Sequence, residues 1–109
     1  MVSRVNICMN VCEKITEIRA LDNGDGTFSI QVDSPCPNVR EFARTLEVLT
    51  MDDLTDKTSS RVLDRMRTTK MSANCLVPAG ILSAAWVEAG LIARSRALGK
   101  GSNEVRFLE

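Results

Sequence analysis

TFSIQVDSPCP, residues Thr27–Pro37, is the stretch from which the fold can be read. Phe28, Ile30 and Val32 alternate with Ser29, Gln31 and Asp33, the period of a strand with one buried face. The run then meets Pro35 and Pro37, where regular pairing must end, and Cys36 stands between them. Upstream, Asp22-Asn23-Gly24-Asp25-Gly26 is a dense turn signal, with two glycines free to take positive φ. A hairpin centred on Gly24 sets Ala20 opposite Phe28, Ile18 opposite Ile30 and Thr16 opposite Val32. Glu17, Arg19, Ser29 and Gln31 line the other side, polar enough to stay wet. Apolar then meets apolar across the pair, as a half-buried hairpin requires. The same register, extended past Pro35, brings Cys12 opposite Cys36 at the open end. The acids of the turn do not match the spacing of a calcium-binding EF-hand, so turn chemistry alone accounts for them.

Working outward, Val2–Asn10 alternates and reads as a short strand or a helical start. After Pro37 the period changes: Val39, Phe42, Ala43, Leu46 and Leu49 fall at helical spacing, with Arg40, Glu41, Arg44 and Glu47 outside. Pro37 suits a first helical position, and Ser34 or Cys36 a cap. Thr50–Ser60 is polar and reads as a loop that ends in a cap at Ser59 or Ser60. Val62, Leu63 and Met66 face inward on the next helix. Arg61, Arg65, Arg67 and Lys70 give it a basic, solvated face, too sparse in charge and aromatics for a polyanion patch. A longest helix runs from about Pro78 to Ala97 with Ile81, Leu82, Ala85, Ala89, Ile92 and Ala93 as its buried stripe. Gly80, Ala84 and Gly90 allow it a close approach to the sheet, and Trp86 fills core or groove. Gly99-Lys100-Gly101-Ser102-Asn103 ends that helix, and Val105 and Phe107 alternate as a closing strand. The expected architecture is α+β in two layers. A small antiparallel sheet, made of the N-terminal hairpin plus a C-terminal strand, packs against three helices.

The chain has 109 residues, which suits a single domain over 1–109. Fourteen Lys and Arg balance fourteen Asp and Glu, which argues against a nucleic-acid binder. No apolar run approaches the ~20 residues of a membrane span. The N-terminal MVSRVNICMNVCEK lacks the apolar core and cleavage site of a signal peptide, so a cytoplasmic protein with reduced thiols is expected. Aromatics are 4% of the chain, and histidine is absent. Without histidine there is no Ser–His or Cys–His nucleophile and no imidazole ligation of a metal. No acid–base pair stands out either, so whether the protein is an enzyme stays open.

Four cysteines remain: Cys8, Cys12, Cys36 and Cys75. Cys36 falls in a helix first turn and Cys75 three residues before Pro78. Exposed N–H groups and the helix dipole favour a thiolate at such places. With Cys12 beside Cys36, three thiolates converge in a way that suits zinc, another soft ion or an iron–sulfur cluster. Cys8 completes a set of four only if the chain turns between it and Cys12, because four residues of straight strand span roughly 13 Å. There is no CxxC pair, and buried cysteine often packs as a small hydrophobe, the plainer reading for Cys8.

Cys12 with Ile18–Ala20, Ser34–Cys36 with Val39, and Cys75–Pro78 with the run WVEAGLIA resemble a small uncharacterised family of archaea and anaerobic bacteria. The likeness spans about residues 12 to 93. It implies that Cys12, Cys36 and Cys75 act as a set and brings no activity with it. Three functions follow as expectations. The first is a metal or iron–sulfur protein. The second is a thiol redox protein, with Cys36 attacking and Cys12 or Cys75 resolving. The third is an assembly module with inert cysteines. The open sheet edge suits a homodimer.

Overall fold

Strands come first because period-two alternation runs almost without interruption from the second residue. The computed structural model describes residues 2–109; Met1 lies outside them. Strands β1 (Val2–Met9), β2 (Lys14–Asp22), β3 (Thr27–Asp33) and β4 (Val48–Thr50) form one antiparallel sheet in sequence order. The helices are α1 (Pro37–Ala43), α2 (Met51–Thr55), α3 (Arg61–Thr68), α4 (Val77–Glu88) and α5 (Arg94–Lys100). The fold is therefore α+β. Helix α4 lies across β1 and β2, α2 and α3 pack on α4, and α1 packs against β3.

Alternation decides the faces. Ile18, Ala20, Phe28 and Ile30 point into the core beneath the helices, where Phe42, Leu46, Leu49, Val62, Val77 and Ile81 meet them. Each large side chain buried there stabilises the fold by about 1.5–3 kcal/mol. Close approach of α4 is set by Gly80. A Cβ at that position would lie 2.3 Å from Ile7 Cδ1 and 3.0 Å from Ile18 Cδ1. Trp86 fills the same layer and donates its indole N–H to the Leu54 carbonyl at 2.9 Å. Among the described residues no helix is long and apolar enough to cross a membrane.

Several boundaries differ from the sequence reading. The hairpin pairs Ala20 with Ile30 and Ile18 with Val32, two residues out from a turn centred on Gly24. The loop is wider than two residues, because Asp22 and Asp25 carboxylates accept from the N–H groups of Gly24 and Thr27 and hold it open. A slip of two preserves every face, so the core is as expected. The sheet's third strand partner is not Val105–Phe107: residues 101–109 carry no regular structure and are exposed. β1 and β4 occupy the two edges instead. Leu49 stays buried, but on β4 rather than on an extended α1.

Residues 50–60 contain a helix where a loop is expected. Thr50 and Asp53 form a reciprocal capping box that starts α2. The long terminal helix is two. Gly90 takes φ +76 just past the end of α4, and the chain restarts at Arg94.

Candidate thiol site

β2 leaves the Asn10–Glu13 turn at Lys14, and β3 ends opposite Glu17 at Asp33. The turn carrying Cys12 and the segment carrying Cys36 therefore emerge from the same end of the sheet. Helix α4 adds the third thiol through its direction. Gly80, near its start, sits on Ile7 and Ile18, while Glu88, at its end, reaches the far end of the sheet. There its carboxylate accepts from Ser3 Oγ at 2.7 Å and from the Asp22 N–H at 3.1 Å. Burial opposes the charge of Glu88, yet these donors and the Arg94 guanidinium hold its carboxyl below the usual range. With its tail pinned in this way, α4 presents its N-terminus, and Cys75 just before it, to the end of the sheet that holds Cys12 and Cys36.

The Cys36 segment is tied down by a buried pair of hydroxyls. Thr16 Oγ1 donates to Ser34 Oγ at 2.8 Å, and Ser34 Oγ also accepts from the Cys36 N–H at 3.2 Å. Cys36 is the N-cap of α1, with Pro37 in the first turn as expected. Its thiol makes no capping hydrogen bond, so its sulfur is not committed to the helix. Two cations stand against the same backbone. Arg40 donates to the Ser34 carbonyl at 3.0 Å, and Lys14 donates to the Cys12 carbonyl at 3.4 Å.

All four cysteines are free thiols: Cys8 and Cys12 are exposed, while Cys36 and Cys75 are half-buried against the core. Cys8 alternates with the inward residues Val5, Ile7 and Met9 and so lies on the outer face of β1, with Arg4 and Asn6. It is paired opposite Ile15. Burial pushes the Cys75 thiol up more than its hydrogen bond to the Val77 N–H lowers it, and the Cys36 and Cys12 thiolates push it up further. The expected ease of ionisation at this helix start is thus reversed for Cys75 by desolvation, which disfavours it as an attacking thiolate at neutral pH. Among the described residues no group of three or more Cys, Asp or Glu side chains stands arranged around a point that could hold a metal ion.

Sequence reasoning missed the Thr16–Ser34 pair, Lys14 and Arg40. The available signal was a threonine at an inward-facing strand position and a serine two residues before the cysteine.

The sequence model of a family described as "Family of unknown function (DUF6951)" matches residues 3–98, nearly the whole chain. No curated protein and no solved structure matches it.

Proposed function

The chain belongs to this family of unknown function, and we propose that it binds a soft or borderline metal ion, or an iron–sulfur cluster, through Cys12, Cys36 and Cys75. The observation that carries the reading is the common destination of three separate segments: the β1–β2 turn, the end of β3 and the approach to α4. The donor set is all sulfur in a chain without histidine, which suits zinc or an iron–sulfur cluster and not a hard cation. Lys14 and Arg40, held on the same segments, offset the negative charge that three thiolates bring together. Uptake draws Cys12 inward on its exposed turn and takes the proton from Cys75, so binding strengthens as pH rises. A fourth ligand is a carboxylate, a water or a cysteine from a second copy. Cys8 serves only if the Asn10–Glu13 turn re-forms to bring it round from the outer face. Electron transfer, metal handling or sensing is the chemistry such a group supplies when bound. A reducing cytoplasm, as in archaea and anaerobic bacteria, keeps the thiols available for it.

The test is anaerobic purification followed by metal analysis and visible absorbance. Cys12→Ser, Cys36→Ser and Cys75→Ser are each expected to lose most of the bound metal while Cys8→Ser keeps it. A colourless protein, free of iron and zinc even after anaerobic reconstitution, would end the reading.

A further inference from the structure

The two edges of the sheet are finished differently. On β4 the outward Val48 carbonyl and Thr50 N–H are taken: Arg61 Nη2 donates to the first at 2.7 Å, and the second donates to Asp53 at 2.9 Å. β1 is longer, eight residues against three. Along an antiparallel ladder, residues bonded to one neighbour alternate with residues turned the other way. The Asn23 N–H donates to the Thr27 carbonyl at 3.0 Å at the mouth of the hairpin, which turns Thr16, Ile18 and Ala20 towards β1. Their partners Ile7, Val5 and Ser3 therefore bond inward, and Val2, Arg4, Asn6 and Cys8 turn outward. Arg94 donates to the Val2 carbonyl at 3.5 Å, and the Asn10 N–H donates to that of Cys8 at 3.1 Å. Among the described residues nothing bonds the outward N–H and C=O groups of Arg4 and Asn6, and both residues are exposed. The strand holds no Pro, Gly or Lys to blunt this edge.

We propose that two copies of this chain pair β1 with β1 about a two-fold axis through Asn6, joining two four-stranded sheets into one. The strand's own pattern selects a second copy and this register. Antiparallel pairing with the helices on one face lets only residues of the same parity meet, so the axis passes through a residue. On Arg4 it would set the strand's one charge against itself. On Val5 it would leave the two Arg4 one diagonal step apart and put the buried, hydrogen-bonded Ser3 against Ile7. On Asn6 it separates the two Arg4 by roughly 13 Å along the strand, each opposite Cys8 of the other copy. Asn6 then exchanges both backbone bonds with Asn6 of the second copy, and the Cys8 N–H meets the Arg4 carbonyl, so the open groups find partners. On the helix side Val5 meets Ile7 of the second copy. Both side chains face the core layer yet are only half-buried in one chain, and the pairing closes their row. None of this depends on the thiol site.

Sedimentation of the whole chain over a concentration series in reducing buffer tests it, with amide hydrogen exchange read by NMR at both ends of the series. The expected result is a dimer in which the Arg4, Asn6 and Cys8 amides are protected and lose that protection on dilution. Those of Val5 and Ile7, bonded to β2, should stay protected throughout. Asn6→Lys should weaken dimerisation ~10-fold or more, most at low salt, because it sets two like charges on the axis. Asn6→Pro should weaken it at least ~100-fold by removing both axial bonds, and the N–H it removes faces away from β2, so the monomer does not use it. Asn6 is exposed in the monomer, so Asn6→Lys should leave the urea midpoint of the dilute protein unchanged. A monomer at every concentration would leave the edge to a strand of another protein and overturns the proposal. So does a dimer indifferent to Asn6→Lys, or one whose Arg4 and Asn6 amides exchange freely.

Discussion

Asp53 is the residue on which the connection between sheet and helices turns. Its side chain is 5% exposed. It accepts from the Thr50 N–H at 2.9 Å, from the Arg61 N–H at 3.0 Å and from Arg61 Nη2 at 2.6 Å. Its carbonyl takes the Ser60 hydroxyl at 2.6 Å. One carboxylate thus closes the N-termini of both α2 and α3. Burial works against its charge, yet the Arg61 guanidinium and the Thr50 and Arg61 N–H groups hold its pKa down to about 2. A folded value below the unfolded one stabilises the protein above about pH 4, and the contribution is lost as pH falls from about 4 to about 2. By linkage it is worth about 2 kcal/mol. Asp53→Ala should cost about 3 kcal/mol at pH 7, because it also takes the acceptor from the Thr50 and Arg61 N–H groups at two helix starts. Urea unfolding at pH 7 and at pH 2 should show that cost shrinking in acid. The signal was in the chain as Thr50-x-x-Asp53, a capping box that polar composition disguised as a loop. Glu13 is the residue that composition could not flag. It takes φ +57, a left-handed position that favours glycine, in the turn that bears Cys12.

At the scale of elements, α4 on the sheet is the contact that positions the most. Gly80→Ala adds one methyl group where Ile7 Cγ1 would stand 2.6 Å away. The stiffness of a β-branched neighbour makes relief costly. The substitution should destabilise by about 1–3 kcal/mol despite alanine's better helix propensity, and Ile7→Ala on top of it should recover part of the loss. A Gly80→Ala protein as stable as the parent would show that α4 can lift off the sheet freely. The element boundaries show where pattern reading runs short. Alternation identified β2 and β3 and the face each buries, because period two is local to each strand. It misplaced their register by two residues, because register depends on how the Asp22 and Asp25 side chains hold the loop. It joined α4 to α5, because Ala89, Ile92 and Ala93 continue the apolar spacing while Gly90 turns the backbone away.

For the whole molecule, the consequence of the layout is that three thiols share one end of the sheet while the opposite face lies open. The chain contains no tyrosine, so no phenol obscures a thiol's contribution to stability in the alkaline range. Cys75 is raised in the folded protein by burial first, so its contribution to stability is intact below about pH 8.5 and is lost as pH climbs through the folded value. Urea midpoints between pH 7 and 10.5 should fall with rising pH, and less steeply for Cys75→Ala. An identical slope in the two proteins would mean that Cys75 ionises as readily folded as unfolded. By itself the sequence determined the fold class, the buried face of each central strand, Pro37 in the first turn of α1 and a serine cap before α3, since these depend on residue type and short-range spacing. Only the tertiary structure decided that β1 and β4 flank the hairpin, that Cys8 faces away and that α4 runs with its N-terminus toward the end of the sheet where the β1–β2 turn and the end of β3 emerge. Those outcomes rest on contacts between residues far apart in the chain, such as Ser3 with Glu88 and Ile7 with Gly80, and no local pattern encodes which distant partner a side chain will meet.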